Sequence, residues 1–236
     1  MRRIFSLLIL AVTVTAQIGC KSDKGPSGSA PVEEGSKAAE ETSRPNPADA
    51  SRDGRPLIVC FGDSLTAGFG ADEGSSYPDF LQKDLDRDGY RYYVVNEGIS
   101  GNTTKDGVDR LPGIVAMKPA VVVLEFGGND GLRGVKVETT RTNLSTMVAG
   151  LKGAGAKVVI AGITLPPDYG PDYIANFTAT YLTLGKKHNV PVLPFLLKDV
   201  YGVRGMMQAD NTHATNRGNE IVARNVLPLV EPLLSK

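Results

Sequence analysis

The 236-residue chain has no tryptophan, only two cysteines and only two histidines, and its 26 lysines and arginines are matched by 26 aspartates and glutamates. Each shortage excludes something. With no net charge and no basic block there is no electrostatic footprint for nucleic acid, and no such partner is expected. With no tryptophan, the exposed aromatic platforms that suit a sugar ligand have few candidates. Cys20 and Cys60 allow one disulfide at most, and none if Cys20 carries a lipid. Cys60 sits in an apolar run and reads as a small buried hydrophobe. His188 and His213 are the whole supply of imidazole, so histidine-dependent proton transfer must use one of them.

Long apolar runs are also missing. The stretch from Ile4 to Gly19 is 16 residues, short of the roughly 20 that span a bilayer. Behind Met1-Arg2-Arg3 it reads as an export leader. Ile18-Gly19-Cys20 resembles the end of a bacterial lipobox, with Gln17 where leucine is usual. The rival is ordinary cleavage after Ala16. The protein is thus expected to be exported, either as a lipoprotein held to a membrane through Cys20 or free in the periplasm. Lys21 to about Arg55 is rich in Ser, Gly, Pro, Ala, Glu and Lys and has no aromatic. Such a segment cannot bury enough apolar surface to offset its ordering entropy and reads as a tether. Three regions follow: a leader over 1–20, a tether over 21–55 and a single domain over 56–236.

In that domain apolar runs alternate with helical periodicity. Leu57–Phe61, Tyr92–Val95, Val121–Phe126, Lys157–Ile163 and Val190–Leu193 read as strands. The third is unbroken Val and Leu up to Glu125, as a strand covered on both faces should be. Tyr77, Phe80, Leu81 and Leu85 form one helical face, with Ser75 or Ser76 to cap it, Pro78 in the first turn and Gly89 beyond the end. Further helices are predicted over 105–117, interrupted at Pro112, around Leu144, Met147, Val148 and Leu151, over 173–187, and over 216–234 with a bend or break at Pro228 and Pro232. Strand-helix alternation predicts a three-layer α/β/α sandwich on a mostly parallel five-stranded, flavodoxin-like sheet.

Three polar motifs close three of the apolar runs: Gly62-Asp63-Ser64-Leu65, Asn96 to Gly101, and Gly127-Gly128-Asn129-Asp130. If the runs are neighbouring parallel strands, all three open on the crevice beyond the strands' carboxyl ends, where ligands bind in such sheets. A serine hydroxyl there needs an adjacent base. His188 lies in a polar helix-to-strand connection and reads as an exposed turn residue. His213 has Asp210 three positions earlier, close enough to fix its tautomer. Backbone N–H groups near Ser64 and Gly101 and an Asn129 side chain free to point into the crevice would supply oxyanion donors. Taken singly, each motif is as well explained by a turn or a helix cap; together and in this order they form the parts list for acyl transfer.

The four blocks resemble the signatures of the SGNH, or GDSL-type, hydrolase family. Ser100 to Thr104, Gly127 to Gly134 and Leu165 to Gly170 resemble its bacterial thioesterase, lysophospholipase and arylesterase branch. The resemblance runs from about Leu57 to the last helix. It implies Ser64 as nucleophile, His213 as base and Asp210 as orienter, with an oxyanion hole of Ser64 N–H, Gly101 N–H and the Asn129 side chain. Asp63 and Asn96 would support the site, and no metal or organic cofactor would take part. The expected activity is a serine esterase acting through an acyl-enzyme on lysophospholipids, short or medium acyl esters, aryl esters or thioesters. An apolar groove of Leu132, Ile163, Leu165 and Pro166 would suit an acyl chain. The partners implied are a small-molecule or lipid ester and, through Cys20, a membrane; the chain is expected to be a monomer. Competing readings are an O-deacetylase of carbohydrate or cell-wall glycan, a non-catalytic flavodoxin-like binding module with Thr66 to Gly70 facing a phosphate, and an inactive adhesin-like lipoprotein.

Overall fold

The computed structural model describes residues 54–236. The leader, Cys20 and nearly all of the tether lie outside the described residues. Arg55, at the end of the expected tether, belongs to the domain: its guanidinium donates to the Tyr92 carbonyl and lies 5.1 Å from the Tyr93 ring centroid.

Five strands form one parallel sheet: β1 (Leu57–Gly62), β2 (Tyr93–Gly98), β3 (Val121–Glu125), β4 (Lys157–Ala161) and β5 (Val192–Leu193), in the order β2-β1-β3-β4-β5. β1 and β3 are buried at every position, as strands covered on both faces must be. The helices are α1 (Ser64–Ala67), α2 (Tyr77–Arg87), α3 (Thr104–Ala116), α4 (Gly128–Leu132), α5 (Val137–Gly153), α6 (Pro171–His188) and α7 (Asn216–Val230). α3, α5 and α6 pack side by side, and α2 packs on α7, giving a helical layer on each face of the sheet. The chain runs from β1 out to β2 and then crosses back to β3. That reversal makes the β1/β3 boundary the topological switch point, where the strand ends part to form a crevice. Ser64 follows one of those strands and Asn129 the other.

Local chemistry explains most boundaries. Ser76 caps α2 in a reciprocal box with Asp79, Pro78 sits in the first turn, and Thr103 and Asp106 repeat the box at α3. Several boundaries differ from expectation. α3 runs through Pro112 without interruption; a mid-helix proline forfeits one N–H bond, and the buried Ile114 and Gly107 face, packed on α5, holds the helix together. Likewise α7 passes Pro228 and ends only at Glu231, where a 3-10 turn (Glu231–Leu233) carries Pro232. β4 stops at Ala161 and β5 is two residues long, because Gly162 bonds instead to the Leu193 carbonyl and Leu196 to that of Gly162, turning the chain toward the crevice.

Candidate active site

Gly62 ends β1, and Asp63 turns the chain into the single helical turn α1, its Oδ1 accepting from Leu65 N–H at 3.1 Å. The turn is tight enough to exclude any side chain at Gly62: a Cβ there would lie 2.1 Å from Thr66 Oγ1 and 2.7 Å from the Glu125 carbonyl. Ser64 is the first residue of α1, so its N–H has no intrahelical acceptor, and its side chain faces the crevice. On the far side of the crevice, the segment after β5 brings His213 back. His213 Nε2 lies 2.8 Å from Ser64 Oγ, and Nδ1 lies 2.6 Å from Asp210 Oδ2.

The protonation pattern follows from the carboxylate. Desolvation pushes Asp210 up, but the His213 ring and the backbone N–H groups of Thr212 and His213 outweigh it and bring the pKa down to about 2. An ionised carboxylate can only accept, so Nδ1 carries the ring proton. In a neutral imidazole Nε2 is then the acceptor, and Ser64 donates to it. Asp210 Oδ1 also binds two backbone N–H groups, so the turn reading of Asp-x-x-His and the orienting one coexist in the same side chain.

Asp63 is buried and stands behind Ser64. Its Oδ2 accepts from Asn129 Nδ2 at 3.1 Å, and its N–H donates to Glu125 Oε2 at 3.2 Å. Thr66 Oγ1 donates to the same Glu125 oxygen at 2.9 Å, while Glu125 Oε1 is buried without a partner. Burial lifts the Asp63 pKa to about 6. Burial, and then the Asp63 charge, lift Glu125 well above the carboxylate range. The switch point is thus floored by two buried carboxyls whose ionisation burial opposes, with the Asp63 charge opposing that of Glu125 further.

Asn129 lines the crevice, but its amide is not free as expected. Nδ2 donates to Asp63 and, at 3.0 Å, to the Asn102 carbonyl, so both protons are engaged. Gly101 adopts φ +81 in the loop after β2, and its carbonyl accepts from Arg133 at 2.9 Å; it is not among the residues that line the cavity. Asn96 stays behind the site, donating to Ser76 Oγ and accepting from Gly98 N–H. His188 is not an exposed turn residue: it ends α6 half-buried, with Nε2 2.8 Å from Ser145 Oγ.

Next to the Ser64–His213 pair lies a cavity of about 190 Å³. Leu132, Ile163, Leu165 and Pro166 all line it, joined by Leu65, Phe195, Leu197 and Tyr201. Phe195, Leu197 and Tyr201 went unnoticed in the sequence; Leu65 figured only in the strand-end motif and Phe69, whose ring sits 4.7 Å from that of His213, only within the Thr66–Gly70 segment of the binding-module reading. Also unnoticed were the residues fastening the His213 segment to the Ser64 loop. Gln208 Nε2 donates to the Phe69 and Ala214 carbonyls, Asn216 pairs with Asp72, and Asn219 donates to the Ser75 carbonyl. The one local signal was Phe69 itself, a large apolar residue between two glycines.

Residues 60–221 match the model of the GDSL-like Lipase/Acylhydrolase family. The chain is similar to Esterase TesA of Pseudomonas aeruginosa, 43% identical over 178 residues that cover 75% of this chain and 89% of that protein. It is 34% identical over 179 residues to the protein named Thioesterase 1/protease 1/lysophospholipase L1 of Escherichia coli, covering 75% of this chain and 85% of the relative. A crystal structure of TesA superposes with a TM-score of 0.73 at 43% identity, covering 75% of this chain and 99% of the solved one.

Proposed function

The chain belongs to the GDSL-like lipase/acylhydrolase family and is a carboxylic ester hydrolase, and from that premise we propose that Ser64, His213 and Asp210 carry the reaction through an acyl-enzyme. The observation that carries this reading is the continuous hydrogen-bonded path from Ser64 Oγ through His213 to Asp210. Ser64 Oγ attacks the ester carbonyl while its proton passes to His213 Nε2. The imidazolium so formed is stabilised at Nδ1–H by ionised Asp210. His213 then protonates the departing alcohol, and water enters by the reverse route to release the acid.

The oxyanion falls to Ser64 N–H, Gly101 N–H and Asn129. Asn129 must release an acceptor to serve. The neutral Asn102 carbonyl is the weaker competitor against an arriving negative oxygen, whereas the Asp63 carboxylate keeps the side chain aimed. Leu65, Leu132, Ile163, Leu165, Phe195 and Leu197 make the cavity apolar, which favours an acyl chain over a sugar. Lysophospholipids and short or medium acyl and aryl esters are therefore the proposed substrates. Thioester hydrolysis fits the chemistry, but an exported enzyme would rarely meet acyl-CoA. Export rests on the Met1–Gly19 leader and anchoring on the lipobox-like Ile18-Gly19-Cys20; a monomer suffices for the site, since one chain supplies every member.

The test is fluorophosphonate labelling of the purified protein beside Ser64→Ala, with p-nitrophenyl esters from acetate to palmitate. Labelling is expected to vanish in Ser64→Ala and turnover to fall by roughly 10⁴-fold or more. An unlabelled, folded wild type would overturn the assignment.

A further inference from the structure

Seven large apolar side chains are exposed among the described residues, and six of them sit at one pole of the domain. Phe69 follows β1 and α1, Ile99 follows β2, Leu132 ends α4 after β3, Tyr169 lies in the turn after β4, and Tyr201 and Val203 follow β5. Only Leu182, on α6, lies elsewhere. Single exposed apolar residues need no explanation, but their concentration on one rim does. Several of the six are tied directly to the mouth of the cavity and the rest to their neighbours. Leu132 and Tyr201 line it, and Phe69 packs on His213. The Tyr169 hydroxyl donates to the Leu132 carbonyl, Ile99 N–H is bonded to the Gly62 carbonyl, and Val203 is two residues from Tyr201.

We propose that this rim docks the mouth of the cavity onto a phospholipid surface. The inference rests on the ester-hydrolase reading above, because the surface that presents acyl esters to such a mouth is a lipid layer. Two observations favour lipid over a protein partner. The protruding groups come from the five segments that follow the strands, around a hollow, and two are tyrosines, whose amphipathic rings suit the headgroup level. The same loops (68–76, 99–103, 133–136, 162–170 and 194–215) carry four basic and five acidic residues. Apolar insertion rather than attraction to anionic lipid would therefore drive binding, and a zwitterionic surface suffices. Among the described residues no helix is long and apolar enough to cross a membrane.

The length of chain before the domain fits this placement. Cys20 and Gly54 are separated by 33 residues, and β1 starts at the pole opposite the rim. A domain of this size is about 40 Å across, so a half-turn around it is about 65 Å. Thirty-three residues span about 110 Å at full extension. An anchor at Cys20 therefore leaves the rim able to face the membrane that holds it, which a tether of a few residues would not.

The lack of tryptophan supplies the probe. Val203→Trp or Leu182→Trp, each placed in the full chain carrying Ser64→Ala to prevent turnover, gives one indole on the rim or on the opposite layer. With phosphatidylcholine vesicles, emission from position 203 is expected to shift to the blue and to be quenched by brominated lipid, while position 182 stays unquenched. Equal responses, or none at 203, would overturn the proposal. A blue shift at 203 that grows with protein concentration before any lipid is added would overturn it in favour of an interface between copies. Val203→Glu in the active protein is expected to lower hydrolysis of lysophospholipid embedded in vesicles by about tenfold, with soluble p-nitrophenyl acetate turnover within about twofold of wild type. Equal turnover of embedded lysophospholipid would also overturn the rim. An absence of ester turnover in the wild type would sink the hydrolase reading independently.

Discussion

The two walls of the crevice hold their functional groups in opposite ways. On the Ser64 wall, β1 and β3 end in a packed floor where Asp63 and Glu125 are 2% and 0% exposed and Gly62 has no room for a side chain. On the His213 wall, a segment with little regular structure carries Asp210 with its side chain 41% exposed. That wall is held by discrete hydrogen bonds from Gln208, Asn216 and Asn219, partners 139 to 144 residues away in sequence. The carboxyl groups record the difference. Burial raises Asp63 and Glu125, whereas hydrogen bonds in partial contact with solvent lower Asp210. The acidic groups around the site are thereby held differently: hydrogen bonds favour the charged form of Asp210, which orients the imidazole, while burial disfavours charge on Asp63 and Glu125 beneath the nucleophile.

The sharpest way to break the open wall is Asp210→Asn. The asparagine oxygen can still accept the two backbone N–H groups, but its NH₂ faces Nδ1 and imposes the wrong tautomer. Turnover is expected to fall by roughly 10⁴-fold with the melting temperature nearly unchanged, as kinetics and a thermal melt would show. A large loss of stability with modest loss of rate would invert the contrast between the walls. The matching blow to the packed wall is Gly62→Ala. The added methyl meets Thr66, the Glu125 carboxyl and the Glu125 carbonyl at once, and overpacking of that kind costs about 3 kcal/mol. Here stability and turnover should fall together, because the same backbone shift that relieves the clash moves Ser64. Denaturant unfolding beside an ester assay distinguishes this from a purely chemical defect.

The same contrast decides what could be read from sequence. Strands β1 and β3, the cap of α2 and the strand-end motifs are local patterns in apolar runs, so the parallel sheet, the crevice at its strand ends and the Ser64/His213/Asp210 grouping were visible. α1 and α4 were not: four- and five-residue helices, one of them Gly-Asn-Asp-Gly-Leu, have no periodicity to detect and exist because strand ends and capping bonds impose them. The Gln208, Asn216 and Asn219 clamps had no signature, since each joins residues far apart in the chain. Glu125 lay unremarked inside the third apolar run, and only the packing shows it buried with an unpartnered oxygen. The expectation for Asn129 erred for a related reason: two glycines before it suggested a free amide, but Asp63 and the Asn102 carbonyl claim it.

The smallest expected effect is the most telling about the packed wall. If Glu125 is neutral in the folded protein, Glu125→Gln exchanges one uncharged group for another and should change stability near pH 5 by no more than about 1 kcal/mol, since both donors to Oε2 keep an acceptor. The pH dependence separates the variants. A carboxyl whose pKa is raised on folding binds more protons in the native state, so its contribution to stability falls as pH rises through the interval between the unfolded and folded values. For Asp63 that interval runs from 3.8 to about 6, worth on the order of 3 kcal/mol at full ionisation; Glu125 continues the decline at higher pH. Asp210 has the opposite sign, and its stabilisation is lost as pH falls from 3.8 toward about 2. Unfolding free energy measured from pH 4 to 8 should therefore slope downward in the wild type and more gently in Glu125→Gln, where one of the two raised carboxyls is gone. Parallel curves would mean that Glu125 is ionised in the folded protein and that the floor of the crevice carries its charge beside that of Asp63.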